Sequence, residues 1–386
     1  MIRRVCVVVG TRPEAIKLGV VVQALRERPW AHVDVLATGQ HGSVVEEVLT
    51  TFGCSVTRRV ATERGEGGLS LLTADLIAGL GREFQRTAPD LVVVQGDTTS
   101  ALAGAVAGYL DGIPVAHVEA GLRSYDRLPF PEEANRRLIA PLAALHLAPT
   151  VSARDNLLAE RVPGDGVVVS GNTVVDALLR IAREDGPRRS RHLVLVTAHR
   201  RESWGEPLRQ VARVVNRLAR AYGQVEFLVA THMNPAVRAV FEREAEGLPN
   251  VRCAPPLPYV RFARLLTTAT MVITDSGGIQ EEAAALRLPL LVMRETTERR
   301  DGLSDPSTHL VGTDDALIFK TASAVLDRVG EPEPRVPGPC VYGDGRAAER
   351  TAAACGWLLG LEDRPRDFVW PAGRSLAGVS ATRRQT

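Results

Sequence analysis

The chain has 386 residues, 45% of them hydrophobic and 24% charged, a balance typical of a globular protein of two domains of about 150–200 residues each. A net charge of +2 excludes nucleic acid or a membrane surface as the main partner, and no apolar run approaches the ~18 residues of a membrane span. Five scattered cysteines, Cys6, Cys54, Cys253, Cys340 and Cys355, never paired as Cys-x-x-Cys, argue against a disulfide framework and a metal site, and predict a cytoplasmic protein with reduced thiols.

Strand and helix alternate from the start. Val5–Val9 reads as a buried strand, Gly10-Thr11-Arg12-Pro13 as a turn that also interrupts the opening apolar run before a signal-peptide core can form, and Glu14–Arg28 as a helix. Strand His32–Ala37, helix Ser43–Phe52, a loop over Thr57–Gly68 and helix Leu69–Arg86 follow. Strand Asp90–Gly96 runs through the turn Asp97-Thr98-Thr99 into helix Ser100–Asp111. Strand Pro114–Val118 ends in a loop to Pro131. Helices Glu132–Ala143 and Ser152–Arg161 flank the short strand Leu145–Ala148, and Val167–Ser170 closes this half.

After a linker at Glu184–Arg191 the pattern repeats: strand His192–Thr197, helix Pro207–Tyr222, strand Val225–Ala230, a helix to Ala245, strand Val251–Cys253 and helix Tyr259–Thr268. Strand Met271–Thr274 turns at Asp275-Ser276-Gly277-Gly278 into a helix, and Pro289–Met293 is the next strand. Helix Asp314–Val329, a crossing segment over Gly330–Gly345 and a last helix Arg346–Leu359 complete the order. The expected fold is α/β: two Rossmann-like, doubly wound parallel sheets facing a cleft. The expected divisions are residues 1–183, 184–345, a helix at 346–361 and a flexible tail at 362–386.

The glycine turn before the helix near Ile279 leaves unpaired N–H groups suited to a diphosphate, and Glu281 or Glu282, one turn in, could accept hydrogen bonds from ribose hydroxyls. Arg294, Arg299 and Arg300 follow the next strand. The alternative is an ordinary βαβ turn with a solvated charge run. Arg12, Lys17, Asp97, Glu119, His199, Arg200, His232 and Arg294 fall at or beyond strand ends, the edge where open parallel sheets bind ligands. Each also has a structural reading: Arg12 and Lys17 as solvated helix residues, Asp97 as a helix cap, the histidines as hydrogen-bonded core groups, Glu132 and Glu133 as first-turn acids.

As a set, Gly10–Lys17, Gly96-Asp97-Thr98-Thr99, His117–Arg123, Pro131–Arg136, His199–Ser203 and Asp275–Glu282 closely resemble the bacterial non-hydrolysing UDP-N-acetylglucosamine 2-epimerases, in the same order, from about Val5 to Leu361. The resemblance implies a glycosyltransferase-B-like fold whose last helix crosses back to the first domain, a nucleotide sugar in the interdomain cleft, no cofactor, and a homodimer. It assigns acid–base duty to Asp97, Glu119 and Glu132, with His199 near the departing diphosphate. Arg12, Lys17 and Arg299 match cations that hold UDP. Ser276, Gly277, Gly278 and Glu282 match phosphate and ribose contacts, and Tyr259 falls beside uracil. A second, activating nucleotide-sugar site is implied at Gln40, Glu133, Arg201 and His232. There Gly42 and Ser43 replace longer side chains, and the loop around Arg64 keeps few polar groups. The run Arg300–Pro306 also departs from the family pattern.

Overall fold

A computed structural model describes residues 1–60, 68–127, 129–184, 192–198, 205–231, 234–328 and 337–370. The first domain runs β1 (Arg3–Val9), α1 (Arg12–Arg26), β2 (Ala31–Ala37), α2 (Ser43–Thr51), β3 (Arg58–Arg59), α3 (Leu69–Thr87), β4 (Leu91–Gln95), α4 (Thr99–Leu110), β5 (Val115–Val118), α5 (Glu132–Ile139), β6 (Leu145–Ala148), α6 (Val151–Ala159), β7 (Val167–Val169) and α7 (Thr173–Glu184). The second runs β8 (Leu193–Ala198), α8 (Glu206–Ala221), β9 (Glu226–Thr231), α9 (Pro235–Glu244), β10 (Val251–Ala254), α10 (Tyr259–Thr268), β11 (Met271–Thr274), α11 (Gly277–Leu286), β12 (Leu290–Val292), β13 (Thr308–Leu310) and α12 (Asp315–Leu326), before α13 (Ala347–Leu358).

Among the described residues all strand pairings are parallel, in the orders β3-β2-β1-β4-β5-β6-β7 and β10-β9-β8-β11-β12-β13. Both sheets therefore reverse strand order beside their first strand, β1 or β8, and that switch point opens a crevice at the carboxyl ends of the strands. The central strands are valine-rich and buried along their length because helices cover both faces. One apolar cluster runs from the first sheet through Val174 and Leu178 of α7 into Phe262 of α10 and Ile279 and Ala283 of α11, joining the domains.

Three elements depart from the sequence expectation. Within the expected loop Thr57–Gly68, Arg58 and Arg59 form a two-residue edge strand beside Leu36 and Ala37. β13 extends the second sheet, pairing with β12. Helix α7 lies where no element is expected, although Val174, Leu178 and Ile181 recur at helical spacing. It packs against α1, α10, α11 and α13.

Helix α13 packs on α1, as the crossing helix was expected to. The tail expected to be flexible from residue 362 is instead docked over its first residues. Trp30 Nε1 donates to Glu362 Oε1 at 2.6 Å, Phe368 N donates to Val169 O at 2.7 Å, and Asp367 Oδ1 accepts from Val169 N at 3.0 Å. The reason is the exposed edge of β7, whose backbone groups need partners. Residues 371–386 lie outside the described residues, as do 185–191 of the expected linker and 330–336 of the crossing segment.

Candidate active site

The strand that brings Glu119 into the cleft ends abruptly. After Val118 the backbone of Glu119 turns into the left-handed region at φ 64°, a conformation that costs a non-glycine residue energy and clusters at functional sites. Its side chain is buried and accepts from four donors. Lys17 Nζ lies 2.5 Å from Oε2, Gln95 Nε2 also donates to Oε2, and Arg299 Nη2 at 3.1 Å and Asn172 Nδ2 at 3.3 Å donate to Oε1. Burial alone would push the carboxyl up, but Lys17 and Arg299 outweigh it and hold Glu119 below the usual carboxylate range. Behind it, His117 Nε2 is 2.7 Å from Gly96 O, and burial lowers the imidazole to about 4, so it is neutral.

Helix α11 supplies the opposite wall. Ser276 stands at its N-cap without a side-chain capping bond, so the first turn keeps free N–H groups. Gly277 is pressed by Arg299: a Cβ there would lie 2.7 Å from Arg299 Nη1. A Cβ on Gly278 would meet open space. A helix N-terminus open at a glycine, with the Arg299 guanidinium alongside, has the chemistry to receive an anion.

Deeper on the same helix, Glu282 faces Tyr259, and both are buried. Burial pushes Glu282 up to about 7, against the pull of the Tyr259 hydroxyl, and the neighbouring Glu281 charge adds to the rise. Tyr259 is itself raised by burial and then by Glu282. Among the described residues Tyr259 Oη and Glu282 Oε1 both lack a partner in full hydrogen-bond geometry, so the pair can still take donors and acceptors from a polar ligand. Arg12 reaches across the domains to donate to Leu257 O at 3.2 Å, two residues before Tyr259.

Asp97, on the turn after β4, is partly exposed and paired with Arg136, while Asn135 Nδ2 donates to Asp97 O at 2.8 Å. Glu132 is half-buried at the first position of α5, where the helix dipole favours its charge.

A family model described as UDP-N-acetylglucosamine 2-epimerase matches residues 23–355. The UDP-N-acetylglucosamine 2-epimerase of Salmonella typhimurium is 37% identical over 367 residues, spanning 91% of this chain and 98% of its own. The chain belongs to the UDP-N-acetylglucosamine 2-epimerase family.

A putative member from Thermotoga maritima is 39% identical over 95% of this chain and 99% of its own. Among solved structures, the S. aureus MnaA–UDP complex superposes with a TM-score of 0.86 at 34% identity, covering 95% of this chain and all of its own. The Neisseria meningitidis UDP-GlcNAc 2-epimerase bound to UDP-GlcNAc gives 0.83 at 34% identity, covering 90% and 97%. An epimerase of this family is an isomerase, and the two Rossmann-like domains are those of a glycosyltransferase-B-like fold.

Of the residues singled out in the sequence, Arg12, Lys17, Glu119, Tyr259, Ser276, Gly277, Gly278, Glu282 and Arg299 converge on this cleft, with Asp97 and Glu132 following β4 and opening α5 in the same domain as Glu119. Others are engaged differently. Gln40 accepts from Ser100 Oγ at 2.7 Å. Glu133 accepts from Ser124 N at 2.9 Å, Tyr125 N at 3.3 Å and Arg136 Nη1 at 3.2 Å, so it braces the loop after Glu119. Of the three cations that follow the strand, Arg299 lies against Gly277, Arg294 joins it through Glu298, which it meets at 2.7 Å, and Arg300 is exposed. His199, Arg200, Arg201, His232 and Arg64 lie outside the described residues.

Four residues of the site escaped the sequence reading. Gln95 and Asn172 hydrogen-bond Glu119, and a polar residue ending the apolar run Leu91–Val94 was the available signal for the first. Asp301 accepts from Thr150 and Ser152 across the domains. Tyr342 Oη donates to Arg299 O and accepts from Gly302 N, each at 2.9 Å, and its backbone oxygen accepts from Asn172 N at 2.6 Å, so one buried residue braces both Arg299 and Asn172.

Proposed function

We propose that the chain interconverts UDP-N-acetylglucosamine and UDP-N-acetylmannosamine by reversible elimination, without net hydrolysis. The observation that carries this reading is one buried carboxylate, Glu119, held by Lys17 and Arg299 beside the glycine-opened N-terminus of α11. That arrangement puts proton transfer and diphosphate binding in contact.

C2 of N-acetylglucosamine has no adjacent carbonyl, so its proton is not acidic in the ground state. As the C1–O bond breaks and UDP leaves with the electron pair, the ring gains oxocarbenium character and C2–H acidifies. A carboxylate takes the proton, and the C–H electrons become the C1=C2 bond of a 2-acetamidoglucal. Return of a proton to the other face and re-addition of UDP at C1 give the manno epimer. Asp97, Glu119 and Glu132 share the proton transfers, each such group being worth ~10²–10⁴ in rate. Lys17, Arg299, Arg12 and the α11 N-terminus, with Ser276, Gly277 and Gly278, hold the diphosphate and stabilise its departing charge, assisted by His199. Glu282 and Tyr259 take the ribose and uracil. On the same reading the enzyme acts in the cytoplasm as a homodimer.

Product analysis by NMR tests the reading. Incubation with UDP-N-acetylglucosamine is expected to yield the UDP-linked manno epimer. Free UDP with free N-acetylmannosamine would make the enzyme hydrolytic, and unchanged substrate would reduce the chain to a binding protein.

A further inference from the structure

Glu281, fully buried one turn into α11, closes a square of alternating charge. Arg299 Nε lies 3.2 Å from Glu281 Oε1, and Arg299 Nη2 lies 3.1 Å from Glu119 Oε1. Lys17 Nζ lies 2.5 Å from Glu119 Oε2 and 4.0 Å from Glu281 Oε2. Lys17 and Glu119 come from the first domain, Glu281 and Arg299 from the second. The square is lopsided. Glu119 also takes Gln95 and Asn172, whereas Glu281 Oε2 has no hydrogen-bond partner among the described residues. Lys17 sits on Glu119, at 2.5 Å against 4.0 Å to Glu281, whereas Arg299 bonds both carboxylates; burial pushes Glu281 up, while Lys17 and then Arg299 hold Glu119 low. Among the described residues the square is also faced by the neutral His117, the Glu298 carboxylate on Arg299, the neighbouring Glu282, the Tyr342 hydroxyl, the Cys340 thiol and, more distantly, Asp97 and Arg136.

A carboxylate saturated by two cations and two amides is a weak proton acceptor. We infer that Glu281 is a positioning residue: it anchors Arg299 and Lys17 on the nucleotide side of the cleft, so that an arriving diphosphate draws both cations off Glu119 and frees that carboxylate to take the C2 proton. This rests on the nucleotide-sugar reading above. The diphosphate carries more charge than Glu119 and enters beside Gly277, against which Arg299 Nη1 already lies. In so dry a site that extra charge outweighs a single carboxylate. Glu281 keeps the two cations within reach of both anions. Without its charge they settle on Glu119 and stay there. The base is thus unmasked only when a leaving group is in place, which links C2–H cleavage to C1–O cleavage.

The test compares wild type, Glu281→Gln and Glu281→Asp in steady-state epimerisation and in UDP binding. Glu281→Gln is expected to lower kcat about tenfold or more and, because the two cations then stay on Glu119 instead of turning to the diphosphate, to raise the UDP Kd as well. Glu281→Asp, shorter but charged, should recover activity relative to Gln. A role in packing alone predicts the reverse order, and a role as a domain tie predicts a rise in KM with kcat unchanged; either result, or wild-type kcat in the Gln variant, overturns the inference. If neither variant folds, calorimetry decides: UDP-glucose, whose diphosphate diester does not titrate near neutrality, is injected into wild type and Glu119→Gln in two buffers of different ionisation enthalpy. Greater proton uptake by wild type is expected, and equal uptake overturns the inference. Wild-type protein that neither binds UDP nor epimerises would instead overturn the functional reading.

Discussion

Thr150 Oγ1 donates to Asp301 Oδ2 at 2.8 Å, and the two residues belong to different domains. Thr150 is the N-cap of α6, with its hydroxyl accepting from Ala153 N at 3.2 Å, and Ser152 Oγ adds a second bond to Asp301 at 2.5 Å. The carboxylate thus sits at the positive end of a helix in the opposite domain.

Asp301 follows the buried Arg299 by two residues, so this tie fixes the second wall of the cleft against the first. Because the site is half-exposed, its contribution is about 1 kcal/mol, below the usual range for charged hydrogen bonds, or roughly fivefold in the balance between closed and open forms. Asp301→Ala should raise KM for the nucleotide sugar about that much and expand the ligand-free protein in small-angle scattering. An unchanged KM and scattering profile would mean that closure does not depend on this contact.

Elimination requires that C2–H be broken. Epimerisation in deuterated water should therefore place deuterium at C2 of the product, read by NMR. Asp97→Asn, Glu119→Gln and Glu132→Gln should each lower kcat by ~10²–10⁴ while changing UDP affinity far less, and Arg12→Ala should chiefly weaken UDP binding. Near wild-type turnover in all three acid variants would overturn the assignment of the site.

Glu282 predicts a pH dependence of stability. Burial raises its pKa from an ordinary 4.5 to about 7, so the folded state binds this proton more tightly than the unfolded chain. Its contribution is therefore fully present below about 4.5 and is lost as pH rises through about 7. The loss is on the order of 3 kcal/mol. Glu282→Gln removes it. Denaturant unfolding of the ligand-free protein at acidic and mildly alkaline pH should show wild type losing more stability across that interval than the variant, and equal losses would place the titrating group elsewhere.

At the second nucleotide-sugar site implied by resemblance, Gly42 and Ser43 offer little, Gln40 is engaged by Ser100, and Glu133 is engaged by the loop it braces. Loss of two polar contacts, each about 0.5–1.5 kcal/mol, weakens an effector roughly tenfold or more and with it the coupling. The reverse reaction from UDP-N-acetylmannosamine should therefore start without added UDP-N-acetylglucosamine, and forward kinetics should be nearly hyperbolic. A strict requirement for added UDP-N-acetylglucosamine in the first seconds of the reverse assay would show the second site intact.

The amino-acid sequence by itself determined the parts that depend on local periodicity and chemistry. Leu145–Ala148, Tyr259–Thr268 and Met271–Thr274 form elements at the residues expected, because burial on both faces of a strand, or on one stripe of a helix, writes its period into the chain. The alternation of such elements implied two parallel sheets, and the acids and cations at their ends pointed to the cleft. β3 and β13, two and three residues long, lack the fully buried apolar run that marks the equally short β7 and β12 and leave no signal in the sequence, while α7 is legible in the spacing of Val174, Leu178 and Ile181. Tertiary structure alone decided how the charges are shared. Glu281 and Glu282 are adjacent and identical in sequence terms, yet successive helix residues point about 100° apart, so one meets Tyr259 and the other meets Arg299 and Lys17. Likewise Glu133 braces a loop, Arg294 pairs with Glu298, and Arg299 reaches Glu119, 180 residues away in the chain. Such choices depend on which face of each element the opposite domain covers, a relation that no local pattern encodes.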